Sequence, residues 1–146
     1  MTIRTYQPAD TDQIVETWYR ASLLATPFLT QAFLDRERRN IRGLWLDETQ
    51  TWVYEQDGEI AGFMSMMANE VAALFVHPDC HRMGIGSGLL DCALSQFDDI
   101  FLDVFEDNTI GRGFYEHYGF QIEYRHMHEE SGFSQLRLKF APLTST

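Results

Sequence analysis

The sequence predicts an α/β fold of the α+β kind, built on one mixed sheet of about seven strands with helices on both faces. Strand and helix patterns follow one another in the order β-α-α-β-β-β-α-β-α-β-β. Helices therefore separate the strands in the middle of the chain, and strands pair locally towards the ends. No repeat, low-complexity stretch or Pro/Gly/Ser linker divides the 146 residues, which favours a single domain over residues 1–146.

The N-terminal third predicts one strand and two helices. Thr2–Tyr6 alternates as a strand does, and Pro8 then opens a helix that Pro27 interrupts. Thr30 is a suitable N-cap for a second helix, which we expect to run to about Asp47. Four arginines of this second helix form a cluster that we interpret as a solvated basic face: Arg36, Arg38, Arg39 and Arg42.

Three strands are predicted next along the chain. Asp57-Gly58 is a strong hairpin-turn signal between two strand patterns, Thr51–Glu55 and Glu59–Met67. Val71–Val76 is a nearly unbroken apolar run that stops shortly before Pro78, as expected for a buried central strand.

The remaining residues predict two helices and three more strands. Gly84–Phe97 has a helical pattern after a glycine-bearing loop, and Ile100–Phe105 is another buried strand. Asn108–Tyr118 is a short helix that ends at Gly119. Two closing strands, joined by a polar loop, complete the chain: Phe120–His126 and Gln135–Phe140.

The charge of the chain limits its partners. Eleven Lys and Arg against 22 Asp and Glu give a net charge of −11. This charge argues against nucleic acid or an anionic membrane, both of which need a positive field, and it permits a cationic substrate such as an amine. No apolar run is long enough for a transmembrane helix, no signal-peptide core is visible, and two cysteines do not make a disulfide framework. We therefore expect a cytoplasmic protein.

The loop after the Val71–Val76 strand carries the first chemically informative pattern. Gly84 and Gly86 stand where a helix begins, so the backbone can approach a ligand closely and the first-turn amides point at it. The helix dipole favours an anion there, which makes this loop a pyrophosphate cradle in physical terms. The dinucleotide fingerprint is excluded because Leu89 stands at its third glycine, and a Walker A loop because its lysine is missing.

A second pattern follows the next strand, with its informative positions at Asn108, Phe114, Tyr115, Gly119 and Phe120. Together with the glycine loop it resembles the paired motifs of the GNAT superfamily of acetyl-CoA-dependent N-acetyltransferases. The resemblance covers essentially the whole chain, and Trp18–Leu29, Leu74–Val76 and the late polar loop are similar to the YjaB-type bacterial subgroup. Two positions depart from the motifs, since His81 replaces Gln or Arg and Gly111 replaces Ala.

The resemblance implies a mostly antiparallel sheet with a central parallel pair that splays apart, four flanking helices, and acetyl-CoA in the gap. Phe75 and Val76 hold the positions that contact the pantetheine arm, and Asn108 corresponds to a side chain that reaches it. The pyrophosphate corresponds to the loop residues Arg82, Met83, Gly84, Ile85, Gly86 and Ser87. We expect no metal, because the nearby ligand types lack zinc spacing: His77, Cys80 and His81.

The resemblance also implies direct attack of a neutral amine on the thioester. Tyr115 corresponds to the general acid that protonates the departing thiolate and also contributes to the cofactor site. The backbone N–H of Val76 corresponds to the donor that polarises the acetyl carbonyl. The base that takes the proton of the amine is Glu70, Asp103 or a chain of waters, and Glu70 is preferred because it begins the strand that leads to Val76.

The acceptor is expected beneath the first two helices, which roof that side of the fold in this family. Aromatic residues are frequent there, and one or two of them are expected to line the acceptor pocket: Trp18, Tyr19, Phe28, Phe33 and Trp45. We expect a primary amine, of a small molecule, as the acceptor. The alternatives are a protein N-terminus or lysine, or an acetyl-CoA-binding sensor without turnover. The expected assembly is a monomer or a homodimer.

Overall fold

The computed structural model describes residues 2–42, 46–81 and 83–141, which form a seven-stranded sheet with helices on both faces. The strands and helices are, in chain order, β1 (Thr2–Thr5), α1 (Thr11–Ala25), α2 (Gln31–Asn40), α3 (Leu46–Glu48), β2 (Gln50–Gln56), β3 (Glu59–Met67), β4 (Glu70–Val76), α4 (Ile85–Leu94), β5 (Ile100–Phe105), α5 (Thr109–Tyr118), β6 (Gln121–His128) and β7 (Phe133–Phe140). The strand order is β1-β2-β3-β4-β5-β7-β6. Only β4 and β5 pair in parallel, so the predicted mixed and mostly antiparallel sheet is confirmed.

The β2–β3 hairpin turns where the sequence predicts it. Asp57 and Gly58 have φ angles of 54° and 78°. Positive φ at both central residues is what a two-residue type I′ turn requires, and asparagine, aspartate and glycine tolerate it best. The turn therefore fixes the register in which Gln56 pairs with Glu59.

The second helix is shorter than predicted. It begins after Thr30, whose hydroxyl accepts the N–H of Phe33 at 3.1 Å as an N-cap should, and it ends at Asn40 rather than at about Asp47. The sequence offers a reason, because glycine, a poor helix former, stands at position 43. Leu46–Glu48, which was predicted as part of the second helix, forms a short α-helix, so the described residues contain five α-helices where four were predicted. Leu44 and Trp45 lie outside the described residues.

A buried carboxylate fastens the first strand to the first helix. Asp10, in a 3₁₀ turn before α1, accepts two hydrogen bonds from the Arg4 guanidinium at 2.8 and 2.9 Å. The same guanidinium donates to Glu55 of β2 at 2.6 Å. The hydrogen bonds from Arg4 lower the pKa of Asp10 below that of an ordinary carboxyl, so this contact stabilises the fold most when Asp10 is ionised.

Two apolar layers cover the two faces of the sheet. On one face, α4 and α5 bury residues that include Leu89, Leu90, Ile100 and Leu102. On the other, α1 and α2 bury residues that include Ile14, Trp18, Val53 and Phe63. The sheet is thus held rigidly from both sides, and the junction of β4 and β5 at its centre opens between these layers.

Candidate active site

The two central strands separate soon after they meet. β4 and β5 share a single register pair, Glu70 with Phe101, and the Phe101 N–H donates to the carbonyl of Asn69 at 3.1 Å. Beyond this pair the strands border an open cleft of about 260 Å³, which is lined on one side by 71–75 and on the other by 102–105. The splay that the resemblance implies is therefore confirmed.

Alternation along β4 directs the backbone of Val76 into this cleft. The N–H of the next residue, His77, donates to the carbonyl of Ala61 in β3 at 2.8 Å. Neighbouring residues of an antiparallel strand point their backbone groups to opposite sides, so the N–H and carbonyl of Val76 face away from β3. The position of His81 agrees with this, because its Nε2 lies 3.1 Å from the Val76 carbonyl. The Val76 N–H is thus directed towards the splay, where an oxyanion donor would be needed.

The same alternation distinguishes the two residues before Val76. Phe75 turns its backbone towards β3, and only its side chain lines the cleft. Leu74 presents its backbone to the gap, as Val76 does. Leu74 was not predicted from the sequence, although counting two residues back from Val76 would have found it. An extended ligand in the splay would therefore pair with Leu74 and Val76, while Phe75 contributes its ring.

α4 begins with unpaired amides at the edge of the splay. Its N-cap, Gly84, has a φ of 79°, a left-handed conformation that glycine adopts without strain, and a Cβ there would meet nothing within 4 Å. The first helical bond runs from the Gly88 N–H to the Gly84 carbonyl, so Ile85, Gly86 and Ser87 have no helical acceptor for their N–H groups. Met83 is exposed just before them, whereas Arg82 lies outside the described residues.

Two glycines near the cleft make room for side chains. A Cβ on Gly86 would lie 2.8 Å from the ring of Phe114, so this glycine allows α4 and α5 to pack as well as leaving its amide accessible. A Cβ on Gly111 would lie 2.6 Å from Nδ2 of Asn108. Asn108 lines the cleft and caps α5, because its Oδ1 accepts the Gly111 N–H at 2.8 Å. Glycine in place of alanine at position 111 therefore leaves room for the Asn108 side chain that caps α5.

Tyr115 reaches the cleft from α5. Its ring is buried between those of Phe114 and Phe120, with centroids 5.2 and 5.4 Å away. No residue in the described part of the chain forms a hydrogen bond with its hydroxyl, and Tyr115 is part of the cleft lining. Burial raises the pKa of Tyr115, so the phenol is fully protonated at neutral pH. The Tyr115 hydroxyl is thus protonated and available to donate a hydrogen bond to a ligand in the cleft.

The two predicted bases occupy different positions. Glu70 lies at the closed end of the splay, six residues or roughly 20 Å along β4 from Val76. Arg137 donates to both of its carboxylate oxygens at 2.9 and 3.2 Å. Asp103 lines the cleft itself, with His126 Nε2 at 3.0 Å from one oxygen and Arg137 at 3.4 Å from the other. The geometry therefore brings Asp103, rather than Glu70, to the cleft wall.

The roof of the cleft is partly aromatic, as expected. Trp18 and Phe33 line it. Phe28 packs instead against rings of β5 and β7, and Tyr19 lies 4.0 Å beneath an arginine guanidinium of α2. Trp45 lies outside the described residues. Two of the five predicted aromatics thus face the acceptor side.

Glu37 and His128, which were not predicted from the sequence, line the same part of the cleft. Phe33 and Glu37 are four residues apart and so share a face of α2, which is a signal that the sequence carries. The His128 ring meets Phe33 and Phe105 edge-on at 5.8 and 5.3 Å. Burial, and secondarily the charge of Glu130, raises the pKa of Glu37 above that of an ordinary carboxyl. This part of the cleft is therefore an aromatic pocket that contains a carboxylate.

Two further classes of site were searched for in the described residues. No three His, Cys, Asp or Glu side chains in this part of the chain are arranged to hold a metal ion. No described helix is both long enough and apolar enough to cross a membrane.

Comparison with known proteins identifies relatives in sequence and in architecture. Residues 47–122 match the family model described as an acetyltransferase (GNAT) domain. The peptidyl-lysine N-acetyltransferase YiaC of Escherichia coli is 31% identical over 121 residues, covering 82% of this chain and 83% of that protein. The solution structure of apo YjaB from Escherichia coli superposes with a TM-score of 0.85 at 26% identity, covering 94% of this chain and 95% of that one. PaiA N-acetyltransferase from Thermoplasma acidophilum, solved with coenzyme A, has a TM-score of 0.78 at 18% identity, covering 97% and 100%.

Proposed function

The chain belongs to the GNAT family of N-acetyltransferases, and on that premise we propose that it transfers an acetyl group from acetyl-CoA to the side-chain amine of lysine in a peptide or protein. The sequence favoured a small-molecule amine, with lysine among the alternatives. Two relatives at 31% identity carry the name peptidyl-lysine N-acetyltransferase, which supports the lysine alternative. The observation that carries the proposal is that Tyr115 and an aromatic pocket line one cleft in the splay, while the Val76 N–H is directed away from β3 towards the same gap between strands.

Acetyl-CoA supplies an acetyl group activated as a thioester, and the residues around the splay fit such a ligand. The free amides of Ile85, Gly86 and Ser87 at the start of α4 suit a pyrophosphate. The open space over Gly84 gives the phosphates access to these amides. A homologous fold solved with coenzyme A supports the same use of the cleft. We assign Met83 and Arg82 to the same cradle on the motif alone.

The arm that joins pyrophosphate to thioester would lie in the splay. Leu74 and Val76 turn their unpaired backbone groups into it, and Phe75 adds an apolar wall. Asn108 lines the cleft while its Oδ1 caps α5, and we assign this side chain a second role as a contact of the arm. The Val76 N–H is the donor that we assign to the acetyl oxygen, whose negative charge grows as the amine attacks.

We assign the acid role to Tyr115. A departing thiolate has a conjugate pKa of about 8.5, below that of a phenol, so full proton transfer from Tyr115 is uphill even after the bond to sulfur has broken, and it is completed only when Tyr115 is protonated again from solvent. Before that point the hydroxyl donates a hydrogen bond to the sulfur. Its burial keeps it protonated and excludes competing water, which supports the role.

For the base we propose Asp103. Glu70, the residue preferred from the sequence, is held by Arg137 at the closed end of the splay and lies outside the cleft lining. Asp103 is on the cleft wall, and His126, which is partly exposed, connects it to solvent. A proton taken by Asp103 therefore has a path out. The alternative base is Glu70, and the kcat values of Asp103→Asn and Glu70→Gln variants separate the two.

Several sequence-based expectations remain predictions of this account. They are a single domain over residues 1–146, a cytoplasmic location, a monomer or homodimer, and the absence of nucleic-acid and membrane partners. The sensor alternative also remains.

An acceptor panel tests the proposed function. Acetyl-CoA would be incubated with the full chain and with a lysine peptide, a peptide with a free N-terminus and no lysine, or a small primary amine, and free thiol would be followed. We expect the lysine peptide to give the highest kcat/KM. Turnover with the small amine alone would favour the small-molecule acceptor that the sequence predicts. Binding of acetyl-CoA without turnover on any acceptor would favour a non-catalytic acetyl-CoA sensor.

A further inference from the structure

Glu37 differs in its surroundings from the other carboxylate of the cleft. Asp103 is compensated by His126 and Arg137 at 3.0 and 3.4 Å. Glu37 takes part in no ion pair within the described residues, and its hydrogen-bond partner is the neutral side chain of Asn40. The nearest arginine of its helix, Arg36, is engaged with Glu130 at 3.3 Å. The cleft therefore contains one half-buried negative charge without a matching cation.

The side chains around Glu37 restrict what such a cation can be. Phe33 precedes it by one helical turn, and Trp18 and Phe75 line the same cleft. Phe33 and Phe105 meet the ring of His128, so the wall beside the carboxylate is aromatic and apolar. Such walls favour an aliphatic chain and attract a positive group near their faces. An alkyl ammonium combines the two properties.

We propose that Glu37 binds the positively charged amine of the acceptor and thereby makes the site selective for lysine-like side chains. This inference rests on the proposed acetyl transfer to an amine, and it assigns Glu37 to acceptor recognition rather than to proton transfer. The amine enters as its ammonium form, pairs with Glu37, and loses one proton to the base before it attacks. No group other than Glu37 on the α2 face of the cleft offers a carboxylate among the described lining residues.

The electrostatics around the Glu37 carboxyl support this role. Burial raises the pKa of Glu37, and Glu130 adds to the effect, while Arg36 and His128 oppose it. The charged form is thus disfavoured in the free protein and would gain from an incoming cation. Replacing Glu37 by glutamine removes that unfavourable charge, so the variant is expected to be at least as stable at neutral pH as the wild type.

Binding of paired peptides to the full chain tests the inference. One peptide would carry lysine and the other norleucine, which keeps the aliphatic stem without the amine. Calorimetry at saturating coenzyme A avoids turnover. We expect the wild type to prefer the lysine peptide about tenfold or more, as a charge-assisted hydrogen bond allows, and Glu37→Gln to reduce the preference to within about twofold. Asp35→Asn, on the same helix and outside the cleft lining, is the matched control and should keep the preference.

The outcomes separate this inference from the proposed function. A folded Glu37→Gln protein that keeps the lysine preference, or a wild type that shows none, overturns the role of Glu37. In turnover, KM for the lysine peptide should rise about tenfold with kcat nearly unchanged. A fall in kcat at constant KM would make Glu37 a base and contradict the inference. Lysine preference without any acetyl transfer would instead refute the proposed function and leave the recognition role standing.

Discussion

Replacing Tyr115 by phenylalanine removes one hydroxyl from the cleft and leaves the ring in place. The ring contacts with Phe114 and Phe120, at 5.2 and 5.4 Å, survive the change. Because no described residue bonds to the hydroxyl, no hydrogen bond within the fold is lost, and the free energy of unfolding should change by less than about 1 kcal/mol. The affinity for acetyl-CoA should change little for the same reason.

The rate is expected to respond much more than the stability. A positioned proton donor contributes about 10²-fold at the low end, which corresponds to about 2.7 kcal/mol of barrier. The assay is steady-state release of free thiol from acetyl-CoA with a lysine peptide, with the affinity for acetyl-CoA measured separately by calorimetry. Equal falls in kcat and in kcat/KM would indicate an interaction that exists only in the transition state.

The matched control is Tyr118→Phe on the same helix. The Tyr118 hydroxyl donates to Asp91 at 2.7 Å, and Tyr118 lies outside the cleft lining, so this variant should lose a hydrogen bond yet keep kcat within about twofold. A Tyr115→Phe protein that folds, binds acetyl-CoA and turns over within twofold of the wild type would refute the acid assignment.

The pH dependence of the wild type gives a second check on Tyr115. A general acid is active only while protonated, so rate is lost as the pH rises through its pKa. Burial raises the pKa of Tyr115, which moves this loss to higher pH than an ordinary tyrosine at about 10 would show. The basic limb of kcat should therefore lie above pH 10. A limb that disappears in Tyr115→Phe but lies well below pH 9 would contradict the buried phenol as the acid.

Four further substitutions test the cofactor cradle, the choice of base and the buried ion pair. Gly84→Val should weaken acetyl-CoA binding by about tenfold or more in calorimetry. Because φ at this position is 79°, the melting temperatures of the variant and the wild type must be compared to separate backbone strain from lost contacts. Unchanged affinity in a folded variant would reject the pyrophosphate cradle. Asp103→Asn should lower kcat by about 10²-fold. Glu70→Gln should lower the free energy of unfolding by at most about 1 kcal/mol and leave kcat within about threefold. A large fall in kcat for Glu70→Gln and none for Asp103→Asn would instead make Glu70 the base. Asp10→Asn should lower the free energy of unfolding at pH 7, as measured by urea titration. Because the pKa of Asp10 is lowered in the fold, this loss of stability is complete above the ordinary carboxyl pKa of about 3.9 and should vanish as the pH falls through the pKa of the folded state. A loss of stability that persists at the lowest pH would contradict the ion pair.

Local patterns predicted most of the architecture because each depends on near neighbours. The Asp57-Gly58 turn, the end of α5 at Gly119 and the apolar run of β4 each satisfy a local rule, and each is where the sequence predicts it. The second helix was predicted to be too long because the apolar spacing continues past Asn40, where α2 ends. Periodicity indicates which face of a helix is apolar more reliably than it indicates where the helix ends.

The parts of the site that were missed depend on contacts distant in sequence. Arg137 reaches Glu70 from 67 residues away, and His126 reaches Asp103 from 23. Only the pairing of β5 with β7 and β7 with β6 brings these groups onto one face, and no spacing in the sequence encodes that register. The sequence likewise predicted only the exposed amide of Gly86 and not its packing role, because the ring that it contacts, Phe114, lies on another helix.

Acetyl transfer to a defined atom tests the central claim most directly. The full chain would be mixed with isotopically labelled acetyl-CoA and an N-terminally blocked peptide that contains one lysine, and the peptide would be fragmented in a mass spectrometer. The account predicts one labelled acetyl group on the lysine side chain, with one free thiol released per acetyl transferred, and a rate that falls about 10²-fold in Tyr115→Phe. A protein that binds acetyl-CoA but leaves the lysine unmodified, or a transfer rate that is the same with and without the Tyr115 hydroxyl, would contradict it.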